Sequence, residues 1–361
     1  MEARPELAAL LENHRGEKHA IILHSYPDPD AIASAYTHKV ISEVFDIEAD
    51  IFYTGKISHR QNMALVRLLG VELTPYDNTV TFSQYQAAVF VDHQGTTVEE
   101  VLSTLARDGV PVLIVVDHHE LQERLNPEFI DIRKVGATAT IYACYLETGI
   151  INLDRTKKEH TYAATALIHG IMTDTNSFIV AGPDDFEAAG YLSRFRDSEL
   201  LGLIMSQSRS KAVMEVIRRA LGNRVTLENY SIAGIGYLRA GDRDAIPQAA
   251  DFLLTEDNVH TAIVYGIVHD NGSEHLVGSM RTSKITIDPD EFLKDVFGKN
   301  IEGRFYGGGK LTAGGFSIPI GFLGGDHSDK YQEMKWQVYD TQIKHKIFVK
   351  IGVERDISGL E

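Results

Sequence analysis

Four short runs, Ala20–His24, Ile51–Tyr53, Ala88–Val91 and Val112–Val116, are almost continuously apolar and rich in β-formers, and segments of helical period separate them. A strand with one face in water alternates polar and apolar residues, whereas a strand that is apolar throughout has to be covered on both faces. The intervening segments supply that cover. Val98, Val101, Leu102 and Leu105 share one helical face, as do Ala137, Ile141, Cys144 and Tyr145, and then Ala164, Leu167, Ile168 and Ile171. This alternation predicts an α/β domain with a parallel sheet of about five strands and crossover helices on both faces.

The pattern changes after LGLIMSQSRSKAVMEVIRRALGN, which reads as a helical connection. Beyond it come alternating strands at Tyr230–Leu238 and Thr261–Val268, a helix over Asp290–Phe297 and a glycine-dense stretch, GGGKLTAGGF, expected as a loop. The segment from Gly321 onward reads as strand and helix completing this part. A chain of 361 residues can bury two cores. The expected division is a first domain at 1–197, a helical linker at 198–223 and a smaller mixed-sheet α/β domain at 224–361.

Composition excludes several classes. No apolar run approaches the roughly 20 residues that cross a bilayer. The start, MEARPELAALLENHRGEK, carries charges where a signal peptide needs an apolar stretch. A single cysteine, Cys144, allows neither an internal disulfide nor a multi-thiolate zinc site. These features predict a cytoplasmic protein without a membrane partner. With 35 Lys and Arg against 51 Asp and Glu, the net charge is -16, a field that repels a long phosphate backbone but tolerates a small anionic substrate.

Ligands of open parallel sheets bind beyond the carboxyl ends of the strands, so the residues after each apolar run carry the chemistry. They are His24-Ser25-Tyr26-Pro27-Asp28-Pro29-Asp30 after the first, Asp92-His93 after the third and Asp117-His118-His119 after the fourth, with Asp174 ending the helical HGIMTDT. Any one of these Asp residues reads as well as a helix N-cap or turn former. Carboxylates gathered at one sheet edge, however, repel one another, and cations convert the repulsion into coordination. Oxygen and imidazole donors without thiolate suit Mn2+ or Mg2+, with Zn2+, Fe2+ or Co2+ as alternatives. Two such ions about 3.5 to 4 Å apart would activate a water and clamp the attacking and leaving oxygens of a phosphoryl group. Pro27 and Pro29 restrict the Asp28–Asp30 stretch to extended backbone. His93 reads equally as a site residue or a loop histidine, and the polar Lys56–Asn62 reads first as a solvated helix start, with lining of the cleft as the alternative.

The motifs HSYPDPDA, VDHQ, VDHHE and HGIMTDT, in this order, resemble the DHH phosphoesterase superfamily, named for the triplet found here at Asp117, His118 and His119. The glycine region resembles that family's C-terminal associated domain, as in nano-RNases, bisphosphonucleotide phosphatases, cyclic-di-AMP phosphodiesterases and RecJ exonucleases. The resemblance spans nearly the whole chain. It implies that His24, Asp28 and Asp92 hold one metal and Asp30, Asp92, His118 and Asp174 the other, with Asp92 bridging. It further implies that Asp117 orients His118, and that His119 touches the scissile phosphate or helps the leaving oxygen depart. In the second domain, Ser279, Arg281 and Ser283 resemble the family's Ser-x-Arg-Ser element, and Gly307, Gly308 and Gly309 its glycine triplet, whose amides would face an anion. A surface ion pair and a plain turn are the alternatives for these two elements. Lys310 stands where the family usually has His; lysine neutralises phosphate but does not stack or accept as imidazole does.

Together the resemblance and the charge imply a two-metal, Mn2+-dependent phosphoesterase, with Mg2+, Co2+ or Zn2+ as alternatives. Its substrates would be short oligonucleotides (nanoRNA, dinucleotides) or 3',5'-bisphosphonucleotides, with no long duplex partner. A homodimer is suggested by resemblance only. A RecJ-like processive exonuclease would want a basic groove. A family II pyrophosphatase shares the first domain but carries a different phosphate clamp in the second. Two alternatives remain, a cyclic-dinucleotide phosphodiesterase and a nucleotide-sensing regulatory protein with lost turnover, and the full His and Asp set speaks against the latter.

Overall fold

The computed structural model describes residues 5–57, 60–207, 210–270, 273–325 and 328–353. The chain divides between residues 208 and 209 into two compact units. The first contains α1 (Pro5–Asn13), β1 (Lys18–Ile22), α2 (Pro29–Val44), β2 (Glu48–Tyr53), α3 (Arg60–Leu69), β3 (Leu73–Pro75), β4 (Ala87–Val91), α4 (Glu99–Asp108), β5 (Val112–Asp117), β6 (Phe129–Ile132), α5 (Thr138–Glu147), α6 (Lys158–Asp174), α7 (Pro183–Leu192) and α8 (Ser198–Met205).

Its strands form one sheet in the order β3-β2-β1-β4-β5-β6, every neighbour parallel. The expected four runs are β1, β2, β4 and β5. The sheet has six strands where about five were expected, because β3 and β6 at the edges are only 3 and 4 residues long and carry no continuous apolar run. Ile21, Val89, Val91, Ile114 and Val116 pack into the core shared with α2, α5 and α6. Ala20, Ile22, Ala88, Phe90 and Val115 pack on the other face under Val101 and Leu105 of α4 and the rings of Phe82 and Tyr85. Both faces are therefore dry, which is why these strands show no alternation. The chain winds from β1 outward to β3 and then returns to β4 on the other side of β1. The loops after β1 and β4 consequently leave the sheet side by side where the winding reverses, the place where such sheets take ligands.

The segment expected as one linker over 198–223 is instead two helices that serve different units. In α8, Leu201 and Ile204 join the first core. In α9 (Lys211–Asn223), Val213, Val216, Ile217 and Ala220 join the second. Each helix is amphipathic and each finds a core to bury its apolar stripe.

The second unit continues with β7 (Arg224–Leu227), β8 (Tyr230–Arg239), α10 (Ala245–Leu253), β9 (Thr261–Asp270), β10 (Ser273–Thr282), α11 (Pro289–Phe297), β11 (Gly307–Lys310), β12 (Ala313–Pro319) and α12 (Asp329–Lys350). Its mixed sheet runs β11-β12-β10-β9-β8-β7, with β8 and β9 parallel and the other pairs antiparallel. Helices α9 and α10 cover one face, and α11 and α12 the other. Gly236, at φ +75°, sits at a register shift between β8 and β9, a backbone that suits glycine.

The glycine-dense stretch is not a loop but the hairpin β11–β12. A Cβ on Gly309 would come 3.0 Å from Pro289 Cβ, and one on Gly314 2.6 Å from Leu293 Cδ1, so the missing side chains let the hairpin lie directly against α11. After Gly321 the described residues form a short 3-10 turn and the helix α12, with no strand. Among the described residues no helix is long and apolar enough to cross a membrane.

Glu274 of β10 and Lys335 of α12 form a buried ion pair, and the lysine also donates to Leu323 O at 3.2 Å. Deleting one partner strands a buried charge, at a cost of about 3–5 kcal/mol, whereas replacing both by apolar residues removes the desolvation penalty too. Trp336, the only tryptophan, lies on the same helix and reports unfolding of this unit. Glu274→Ala should therefore lower stability by about 3–5 kcal/mol in a urea titration followed by tryptophan fluorescence. The double change Glu274→Leu, Lys335→Met should recover most of the loss; a double variant no better than the single would show that the pair does more than neutralise itself.

Candidate metal centre

The loop after β1 is shaped by its own sequence. Asp28 takes extended backbone and caps α2, accepting a hydrogen bond from Ala31 N at 3.0 Å, and Pro29 fills the first helical position. Asp30 follows inside the first turn, fully buried. Its two oxygens accept the amides of Thr138 and Ala139, each at 2.7 Å, at the N-terminus of α5. Asn62 of α3 props the same loop by donating to Pro27 O at 3.3 Å.

Two imidazoles face this acidic group in the same manner. His24 donates its Nδ1–H to Ser25 O at 2.9 Å, and His118 donates its own to Val135 O at 3.2 Å. A carbonyl can only accept, so Nδ1 carries a hydrogen in both rings and Nε2 is the nitrogen that a cation would take in place of a proton. His24 Nε2 lies 3.6 Å from Asp92 Oδ2 and 3.9 Å from Asp28 Oδ1. His118 Nε2 lies 3.7 Å from Asp92 Oδ1 and 3.6 Å from Asp174 Oδ2, and is buried without a hydrogen-bond partner. These separations exceed hydrogen-bond length but let one ion touch both atoms of a pair. Asp92, between the two imidazoles, has left-handed backbone at φ +66° and accepts from Thr138 Oγ1 at 2.8 Å. Donor atoms of His24, Asp28 and Asp92 all lie within 4.8 Å of one another, as do those of Asp30, His118 and Asp174, and those of Asp92, His118 and His119.

The electrostatics ask for positive charge. Burial, together with Asp92, Asp174 and Asp28, pushes the Asp30 carboxyl well above the usual range. Burial, Asp28 and Asp92 push Asp174 up to about 8. Burial alone would lower His24, but Asp28 and Asp92 hold it up at about 10. A proton and a metal ion compete for the same lone pair, and both answer the same excess of carboxylate. The donor set therefore fits divalent cations of the Mn2+, Mg2+ or Zn2+ kind.

One expected role is corrected. Asp117 does not orient the His118 ring. Its Oδ1 accepts from His119 Nδ1 at 2.8 Å and from the amides of His118 and His119 at 2.8 and 3.1 Å. His118 is the inward side chain because Val135 O holds it, while Asp117 steadies the half-exposed His119. His93 is a loop histidine, tied to Ile22 O at 3.0 Å and to Gly95 N at 3.2 Å, and burial pushes it down to about 4.

Thr138, Gln94 and Asn62 had not been singled out as site residues. Gln94 donates to Asp117 Oδ2 at 2.7 Å and to Glu120 O at 3.0 Å, and accepts from Gln122 N at 2.8 Å, so it fastens the loop carrying His119. The polar residue of VDHQ and the threonines opening the helix after Gly136 were the available signals. Asn62 belongs to the stretch expected as a solvated helix start; Ser58 and His59 of that stretch lie outside the described residues.

In the second unit a cavity of about 410 Å3 is lined by Ser279, Gly307 and Gly308 together with Arg243, Phe305 and Tyr306. Arg281, Ser283, Gly309 and Lys310 do not line it. Arg281 bonds Ser279 Oγ at 2.8 Å and pairs with Asp251 at 2.7 Å. Ser283 donates to His260 O at 3.4 Å. Gly309 N is not free for an anion, since it donates to Asp290 Oδ1 at 3.0 Å.

A family model described as the DHH family, N-terminal domain, matches residues 18–171, which carry every first-unit motif named above except the last residues of HGIMTDT. An uncharacterized protein of Methanocaldococcus jannaschii is 34% identical over 357 residues, covering 96% of this chain and 67% of that protein. The chain belongs to the DHH family. It is a phosphoesterase of that family, and so a hydrolase. A probable manganese-dependent inorganic pyrophosphatase of Bacillus cereus is 32% identical over 137 residues, 37% of this chain and 42% of that protein. The fold is shared with an exopolyphosphatase-related protein from Bacteroides fragilis, with a TM-score of 0.63 at 15% identity over 94% of this chain and 97% of the other.

Thr138 offers a direct test of how the DHH centre is held. Thr138→Val removes the hydroxyl that orients Asp92 while keeping its volume. Losing such a supporting bond should weaken Mn2+ binding by about 10- to 100-fold, read by electron paramagnetic resonance of free Mn2+. Unchanged affinity would show that Asp92 is oriented without it.

Proposed function

We propose that this chain uses two divalent cations, preferably Mn2+, to hydrolyse short oligonucleotides or 3',5'-bisphosphonucleotides. His24, Asp28 and Asp92 would hold one cation and Asp30, Asp92, His118 and Asp174 the other. The observation that carries the reading is the pair of Nε2 atoms, on His24 and His118, each the nitrogen left over once Nδ1–H is given to a backbone carbonyl, and both facing Asp92.

Bound there, the cations would supply the Lewis acidity that activates water and stabilises charge developing on the phosphoryl oxygens. The chain supplies the rest. Thr138 and the α5 amides fix Asp92 and Asp30 before substrate arrives, so no reorganisation is needed during reaction. The Asp117 carboxylate raises the proton affinity of His119 against the burial that lowers it. Half-exposed, His119 would hand that proton to the leaving oxygen as the phosphorus–oxygen bond breaks.

Substrate size rests on two further observations. The net charge of -16 disfavours a long polyanion. The cavity of about 410 Å3, with Arg243 and the aromatic residues Phe305, Tyr306 and Phe316 in its wall, is within the range of small-ligand sites. Arg281 would bind a phosphate by exchanging its bond to Asp251 for one to substrate.

The test is Mn2+-dependent release of phosphate or nucleotide from a dinucleotide, short and long RNA, 3',5'-bisphosphoadenosine, cyclic di-AMP and pyrophosphate. Turnover should be confined to the dinucleotide, the short RNA or the bisphosphate, and Asp92→Ala should abolish it, because the cations would lose their shared ligand; residual turnover in that variant would sink the two-cation arrangement. Arg281→Ala should raise KM by about ten-fold or more with little change in kcat. Cleavage of pyrophosphate or cyclic di-AMP in preference would reassign the substrate, and silence across the panel with Mn2+ bound would favour a nucleotide-sensing role.

A further inference from the structure

At the other end of β1 from the metal centre, the turn joining α1 to β1 gathers a second donor set. Gly16, at φ +78°, reverses the chain so that Glu17 N bonds His14 O at 3.2 Å. His14 Nδ1 then lies 2.8 Å from Glu17 Oε2, and His19 Nε2 lies 3.1 Å from the same oxygen. The three donor atoms fall within 4.8 Å of one another.

The three side chains differ in a way that suits an ion site. His19 is fully buried in the sheet and donates Nε2–H to Glu17 Oε2 at 3.1 Å, so an ion at the cluster would replace that hydrogen and leave the ring's remaining one on Nδ1. His14 and Glu17 retain 22% and 29% side-chain exposure, which leaves a path for an ion from solvent. Two imidazoles and one carboxylate, with no thiolate, form a zinc-type donor set with a position left open. The turn fixes all three donors with little chain entropy left to lose.

We infer that His14, Glu17 and His19 bind a divalent transition-metal ion, Zn2+ by their donor chemistry, at a site separate from the catalytic cluster. The ion would fasten the end of α1, whose Leu7, Leu10 and Leu11 are already in the core, to the first strand of the sheet. None of the three residues belongs to the phosphoesterase centre, so the inference stands whether or not the substrate assignment does.

Zinc per chain, measured by inductively coupled plasma mass spectrometry after EDTA stripping and dialysis against Zn2+, tests it. A variant lacking the catalytic ligands, Asp92→Ala with His118→Ala, should retain one equivalent, and adding His14→Ala should remove it. His14→Ala alone should leave Mn2+-dependent hydrolysis within about two-fold of wild type, as a surface change remote from the centre does, while abolishing any Zn2+-induced rise in Tm. If circular dichroism shows His14→Ala unfolded, Glu17→Gln takes its place. A folded catalytic-ligand variant that binds no zinc, or one that keeps its zinc when His14 or Glu17 is changed, overturns the site.

Discussion

Four carboxylates, those of Asp28, Asp30, Asp92 and Asp174, meet at one sheet edge with two imidazoles, and that crowding is the constraint around which the first unit is arranged. Three of the four carboxylates are given donors before any cation arrives, which offsets part of the cost of burying them together. Asp30 has the amides of Thr138 and Ala139, where the α5 dipole also favours negative charge. Asp28 has the first turn of α2, and Asp92 has Thr138. The start of α5 is itself held from behind: buried Asp185 accepts from Gly136 N, Thr140 Oγ1 and Gly182 N at 3.0, 2.6 and 2.8 Å. Gly170 completes the arrangement, since a Cβ there would stand 3.1 Å from Asp30 Cα and force α6 away from α2.

Backbone strain gathers in the same place. Tyr26 and Asp92 are left-handed, and Asn176, Ser177 and Phe178 are left-handed in succession just after Asp174. L-residues adopt this region singly and at a cost, and a run of three is maintained only where the surroundings dictate it. Here the Ser177 amide bonds Met172 O and the Phe178 amide bonds Thr175 Oγ1, so the turn folds back on the end of α6 and fixes the position of Asp174. Ligand geometry is thus set by local backbone as well as by side-chain packing.

The centre was legible in sequence because each donor follows a strand or ends a helix, and the apolar runs announce where the strands stop. Asp92 and Asp117 stand one residue beyond, or at, the end of β4 and β5, and the Asp-Pro-Asp stretch opens α2. What was not legible depends on distance across the fold. Nothing local distinguishes the Asp117 partner, His118 or His119; the choice is made by Val135 O, which captures the His118 ring from another loop. Asn62 falls in a stretch that reads as a helix start, Thr138 opens α5, and their hydrogen bonds to the site come from where the helices point. The short edge strands and the division of the 198–223 segment escaped for a related reason, since both are decided by which core lies nearest.

The glycine triplet is explained first by packing. Gly309 and Gly314 lack side chains because α11 lies against the hairpin, and the Gly309 amide is already bonded to Asp290. An anion cradle built from all three amides therefore does not exist here. What the close packing leaves is room, for Gly307 and Gly308 form a wall of the cavity opposite no side chain of their own, beside Ser279 and Arg243. Under the proposed function, recognition in the second unit would fall to side chains around a gap made by glycine rather than to glycine amides. Lys310, paired with Ala313 at the tip of the hairpin and outside that cavity, would in that proposal add charge and not read a base.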